Sequence, residues 1–182
     1  MVEYLTPPGT GDEVVLVAYD PSWPEVYARQ ERRIREALGA TALAVHHMGS
    51  TSVPGLSAKP VVDVTLVVPD AADEAAYVDA LVAAGYTFAL REPEWYEHRL
   101  FRDTAPRVNL HVFGEGCEEV TAVLAFRDHL RADEADRALY LRTKQELAAR
   151  EWDRVQDYAD AKSDVVRAIT SRALATRDTA TG

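Results

Sequence analysis

The chain has 182 residues, 47% of them hydrophobic, enough to bury roughly 70% of its unfolded surface in a core that needs no disulfide or metal. Acidic residues outnumber basic ones 30 to 20, and a net charge of −10 repels a polyphosphate backbone, which argues against nucleic acid as a partner. One cysteine, Cys117, cannot pair within the chain, and neither a basic-apolar leader nor an apolar run of about 20 residues is present, so the expectation is a cytoplasmic protein with no membrane partner.

In chain order, residues 14–18 (VVLVA) predict a short strand or extended entry segment. Ser22 followed three residues later by Glu25 fits a capping box, and Gly39 is placed to end the helix after Leu38. Residues 42–48 predict a strand that stops at Gly49, and residues 61–68 (VVDVTLVV) an apolar strand of the kind buried inside a sheet. A helix over 72–84 ends at Gly85, and strands follow over 86–90, 96–102 and 108–113, with turns at Pro93 and Pro106. Beyond residue 117 the apolar spacing becomes helical, over 118–131, 134–151 and 153–175. The composition of 176–182 predicts a disordered tail, leaving one domain over 1–175. Mixed strands and helices followed by helices alone indicate an α+β fold, a mixed sheet with flanking helices and a C-terminal helical cap.

Alternation along a strand puts Asp63 on one face with Thr65 and Val67, and Asn109 on one face with His111. If the two strands are neighbours in register, Asp63 and His111 converge near Ser50 of the Gly-Ser turn, giving a carboxylate, an imidazole and a hydroxyl. The competing reading is an aspartate that merely satisfies backbone donors at a strand end. His47 precedes the turn and Lys59 follows it. The segment EPEWYEHRLFR puts Tyr96, His98 and Arg102 on one predicted strand face and Arg99 on the other. In the helical half Arg127 and Arg131 are four apart, as are Tyr158 and Lys162, with Lys144 on the helix between. As a group, Arg127, Lys144, Tyr158 and Lys162 suit a lid over an anionic ligand. Singly, each suits a surface ion pair with Asp128, Glu146 or Asp160.

The run HMGSTSVPGLSAKPVVD, with YDPSWPEVY before it and AFRDHLRADEADRALYLRTKQELA and DYADAKSDVVRAI after it, resembles the GrpB family over residues 14–175. That family is similar in fold to the nucleotidyltransferase superfamily. The resemblance implies a nucleotidyltransferase-like mixed sheet whose turn at Ser50, Thr51 and Ser52 holds a phosphate and whose Asp63 holds a metal. Superfamily chemistry uses two or three carboxylates to position magnesium. Here Asp63 stands alone, with Thr65 two positions on and Asn109 or His111 where a third carboxylate would fall. Three readings follow. The first is a metal-free, cofactor-free acid–base enzyme for elimination, addition or cyclisation of an anionic small molecule. In it Asp63, His111 and His47 move protons, Lys59 and Arg99 stabilise negative charge, and Ser50, Thr51, Ser52, Tyr96, His98, Asn109, Arg127, Lys144, Tyr158 and Lys162 bind substrate. The second is a nucleotidyltransferase using Mg2+ and a nucleoside triphosphate, with Asp63 as metal ligand. The third is a non-catalytic binding module for a nucleotide-like anion.

Overall fold

Residues 1–7, 15–152 and 155–180 are described in a computed structural model of the chain. Within the span read from the sequence as one domain, packing groups the residues into two compact units. The first unit takes in Pro21–Met48 and Val61–Val120 with the N-terminal strand. The second takes in Gly49–Pro60 and Thr121–Gly182 with the segment around Val17.

The first unit is a six-stranded mixed sheet with helices. Its strands are β1 (Glu3–Tyr4), β2 (Ala44–Met48), β3 (Val62–Val68), β4 (Thr87–Glu92), β5 (His98–Thr104) and β6 (Arg107–Gly114), in the spatial order β1-β4-β5-β6-β3-β2. Only β3 and β6 pair in parallel; every other pairing is antiparallel. Helix α1 (Trp23–Leu38) buries Trp23, Val26, Gln30, Ile34 and Leu38, a three-and-four spacing that lays one stripe on β2 and β3. Gly39 ends it with φ +54°, a conformation glycine adopts without a Cβ penalty. The expected capping box does not form: the Ser22 side chain makes no cap hydrogen bond, and its carbonyl accepts from the Glu25 and Val26 N–H groups, both at 3.0 Å. Pro24, at the second helical position, has no N–H, and Glu25 has already found a partner, so the hydroxyl has nothing to cap.

On β3, Val62, Val64, Leu66 and Val68 are buried on the face turned to α1, with Val45 and His47 of β2 beside them. The helix expected over 72–84 is split into a 3-10 turn, Glu74–Ala76, and α2, Val78–Ala83. Tyr77 interrupts it because its ring is buried and its hydroxyl donates to Ala71 O at 2.6 Å.

The second unit is helical. Helix α3 (Glu118–Ala132) begins in the first unit and runs on into it, followed by α4 (Glu134–Ala148), α5 (Val155–Ala161) and α6 (Ser163–Ala180). The single helix expected over 153–175 is broken at Lys162, whose N–H bonds back to Ala159 O in a tight turn. Helix α6 continues to Ala180, into the expected tail; residues 181 and 182 lie outside those described. Val53, Leu56, Leu130, Tyr140 and Ile169 form the core of this unit, with Leu147 and Tyr158 in a second cluster. The entry strand expected over 14–18 is reduced to one bridge, Val17 to Ala58, and residue 14 lies outside the described residues. No helix among the described residues is long and apolar enough to cross a membrane.

Candidate functional site

Parallel pairing of β3 with β6 sets Asp63 opposite Asn109 and Thr65 opposite His111, so their side chains share one sheet face. Asn109 donates from Nδ2 to Asp63 Oδ1 at 3.0 Å, and His111 Nε2 stands 3.9 Å from the same oxygen. Antiparallel pairing of β5 with β6 brings in His98, whose Nε2 lies 3.0 Å from His111 Nδ1. At its other nitrogen, His98 Nδ1 lies 2.7 Å from Glu92 Oε2, on the strand β4 that pairs with β5. A continuous line of polar atoms therefore runs from Glu92 through His98 and His111 to Asp63.

The protons in this line can be placed. His98 is 2% exposed, with its ring stacked on Phe113 and edge-on to Trp95. Burial, then the charges of His111 and Arg99, push its pKa down to about 2, so it is neutral. With Glu92 ionised, His98 donates from Nδ1 to the carboxylate, which leaves Nε2 as an acceptor. His111 must then donate from Nδ1 to His98. This fixes the His111 tautomer and turns its Nε2 lone pair toward Asp63. Burial raises the carboxyl pKa of both Glu92 and Glu119, and the His111 charge opposes the rise at each.

Several residues expected at this site lie elsewhere. Arg99 faces the opposite side of the sheet, 4% exposed, where Nε donates to Glu74 Oε1 at 2.6 Å and Nη1 to Glu97 O at 2.7 Å. It cannot stabilise charge beside Asp63, because the alternation that puts His98 on one face puts Arg99 on the other. His47 is likewise displaced: its register partner is Val64, and its ring stacks on Tyr27 of α1 at 5.0 Å between centroids. His46, opposite Thr65, takes the Asp63 face instead. Tyr96 is not on a strand. It sits in the Trp95–Glu97 turn with φ +54° and helps line a cavity of about 360 Å3 with Asp70, Glu97 and Glu118.

In the second unit, the Gly-Ser turn is a 3-10 turn, Ser50–Ser52, in which Thr51 and Ser52 are buried and Ser52 Oγ donates to Gly49 O at 2.6 Å. Lys144 Nζ donates to Ser50 Oγ at 3.1 Å and to Ser57 O, while Arg131 donates to Ser52 O at 2.7 and 3.0 Å. Lys162 Nζ lies 4.5 Å from the centre of the Tyr158 ring, and its charge acts on Lys144. Of the expected basic set, Lys144, Tyr158 and Lys162 thus come together. Arg127 pairs with its neighbour Asp128 at 2.8 Å, as the ion-pair reading has it. Lys59 is half-buried.

Glu92 and Glu119 escaped the sequence reading. The strand expected to stop at residue 90 runs to Glu92, and a carboxylate beside a proline looks like turn punctuation until β4 is paired with β5. Among the described residues, the Asp63 carboxylate is met by one amide, Asn109, and one imidazole, His111. That set fits magnesium poorly, since the ion favours a shell of oxygens with anionic charge. The three-residue group His129, Asp133 and Asp136 has metal-like spacing but is engaged otherwise. Asp136 accepts from His129 at 2.7 Å and from Arg172 at 2.6 and 2.8 Å, and Asp133 caps α4.

A family model described as GrpB protein matches residues 13–172. The chain is 53% identical over 163 residues to UPF0157 protein BH1888 of Halalkalibacterium halodurans, covering 90% of this chain and 84% of that protein. It is 52% identical over 165 residues to UPF0157 protein SCO7215 of Streptomyces coelicolor, covering 91% and 87%. The crystal structure of conserved protein GrpB from Enterococcus faecalis superimposes with a TM-score of 0.77 at 26% identity, covering 90% of this chain and 99% of that one. The α+β sheet, the motif string and these matches agree, and the chain belongs to the GrpB family.

Proposed function

We propose that the protein is a small-molecule enzyme on a nucleotidyltransferase-like scaffold, using metal-independent acid–base chemistry on an anionic substrate. The observation that carries this reading is the hydrogen-bonded line from Glu92 through His98 to His111. It fixes the tautomer of His111 in the way a carboxylate fixes a catalytic imidazole, leaving Nε2 as a base. In this mechanism Nε2 takes a proton from the substrate and becomes an imidazolium. The Asp63 carboxylate, 3.9 Å away and held in place by Asn109, stabilises that charge. The proton then returns to the leaving group or to the added atom, which covers elimination, addition and cyclisation alike. Buried neutral His98 relays orientation and no net charge. The poor fit of the Asp63 donor set to magnesium favours this reading over nucleotidyl transfer, and the fixed tautomer favours it over a passive binding module.

The test is a screen of small carboxylated and phosphorylated compounds in the presence of EDTA, with products read by mass spectrometry. Products that are isomers of their substrates, or lighter by one water, and that disappear with His111→Ala, are the expected result. Turnover that requires both Mg2+ and a nucleoside triphosphate would establish the nucleotidyltransferase reading instead. Ligand binding that survives Asp63→Ala, with no product from any compound, would establish the binding module.

A further inference from the structure

Lys144 is buried, where the acid–base reading expects a substrate-binding cation. Helix α4 buries Tyr140, Lys144 and Leu147, a three-and-four spacing on which an amine replaces the apolar residue the pattern calls for. Lys144 is 2% exposed, and no carboxylate among the described residues pairs with it. Its nitrogen has only neutral partners, Ser50 Oγ and Ser57 O, and sits 4.9 Å from the centre of the Tyr140 ring. A buried ammonium with no counter-ion is unstable relative to the free amine, and a second lysine nearby adds to the penalty. Burial first, then the Lys162 charge, bring the pKa of Lys144 down to about 7.

We propose that Lys144 is a carbonyl-reactive amine that condenses with a small aldehyde or α-keto acid to form an imine. The Nζ lone pair attacks the carbonyl carbon, the C=O electrons move to oxygen, and that oxygen takes up a proton. The nitrogen gives up both of its protons, and the hydroxyl so formed, protonated once more, leaves as water, giving C=N. Amine and carbonyl become imine and water, with no oxidant or reductant consumed. A desolvated lysine beside another cation is the arrangement that makes an amine nucleophilic at neutral pH. Ser50 and Ser57, which hold the nitrogen, are themselves half-buried, so the two groups that meet the amine are partly open to solvent. The Tyr158 hydroxyl, 2% exposed and without a hydrogen-bond partner, is pushed up to about 12 by burial and stays protonated and uncharged. This inference draws on the second unit alone and does not depend on the histidine pair.

The chain carries only three lysines, Lys59, Lys144 and Lys162, which makes the experiment clean. The native full-length protein is treated with glyoxylate and sodium cyanoborohydride near neutral pH, and adducts are mapped on the three lysines by peptide mass spectrometry. Lys144 should be modified at least about tenfold faster than Lys59 or Lys162, because far more of it is in the free-base form. The preference should vanish in urea, where all three amines are exposed. A native Lys144 that stays unmodified, or reacts no faster than the other two lysines, overturns the proposal. So does a preference that persists in the unfolded chain, because it would then come from the local sequence and not from burial.

Discussion

His98 is a histidine held neutral by its surroundings, and that has a direct consequence for stability. Folded, it takes no proton until about pH 2, whereas unfolded it takes one near 6.5. Below 6.5 the unfolded chain therefore binds more protons than the native one, and stability falls as pH falls through this range. We expect Tm to drop between pH 7 and pH 5, and His98→Asn to flatten that slope; an unchanged slope in the variant would refute a neutral buried His98. At the same scale, Glu92→Leu removes the group that sets the direction of the hydrogen-bond line. Once a substrate is in hand, kcat should fall by about 10- to 100-fold with Tm little altered, whereas His111→Ala should cost about 10²- to 10⁴-fold, the usual worth of a positioned acid–base group.

The strand β3 shows how one element serves two purposes. Val64 and Leu66 are 0% exposed on the α1 face, and Asp63 between Val62 and Val64 points the other way. Leu66→Ala should destabilise by about 2–5 kcal/mol, because the surrounding side chains cannot collapse fully into the space. Asp63→Asn, only three positions away, keeps the shape and should change stability by less than about 1 kcal/mol while reducing activity. Urea unfolding of the two variants checks the contrast; similar losses would mean that the two faces are not distinct in packing.

For the whole molecule, the buried amine of Lys144 sets a second pH dependence, on the alkaline side. Its folded pKa of about 7 lies below the unfolded value of 10.5, so between these values the unfolded chain holds the extra proton and stability rises with pH. Lys144→Met, which keeps the length and loses the amine, should remove this rise and stabilise the protein near neutral pH, by an amount on the order of a few kcal/mol at most. Denaturant midpoints between pH 7 and pH 10 measure it, and a Lys144→Met variant with the same pH profile as wild type would contradict a neutral, buried Lys144. Activity as a whole should survive exhaustive EDTA treatment; recovery only on adding Mg2+ would point to a metal at Asp63.

The sequence by itself determined the order and type of most elements, because the signals are local. The three-and-four stripe of α1, its terminal glycine, the apolar run of β3 and the Gly- and Pro-free helical half are each decided within a dozen residues. Alternation also placed Asp63 with Thr65, and Asn109 with His111, before any partner strand was known. What only the tertiary structure decided is what depends on which strand lies beside which. The β2–β3 register put His47 against α1 and His46 on the Asp63 face, a choice a HisHis dipeptide cannot reveal since the two faces are one residue apart. Pairing of β4, β5 and β6 joined Glu92, His98 and His111 across separations of 6 and 13 residues. Burial, a property of the packed whole, turned Lys144 from one more surface cation into a lysine with no counter-charge.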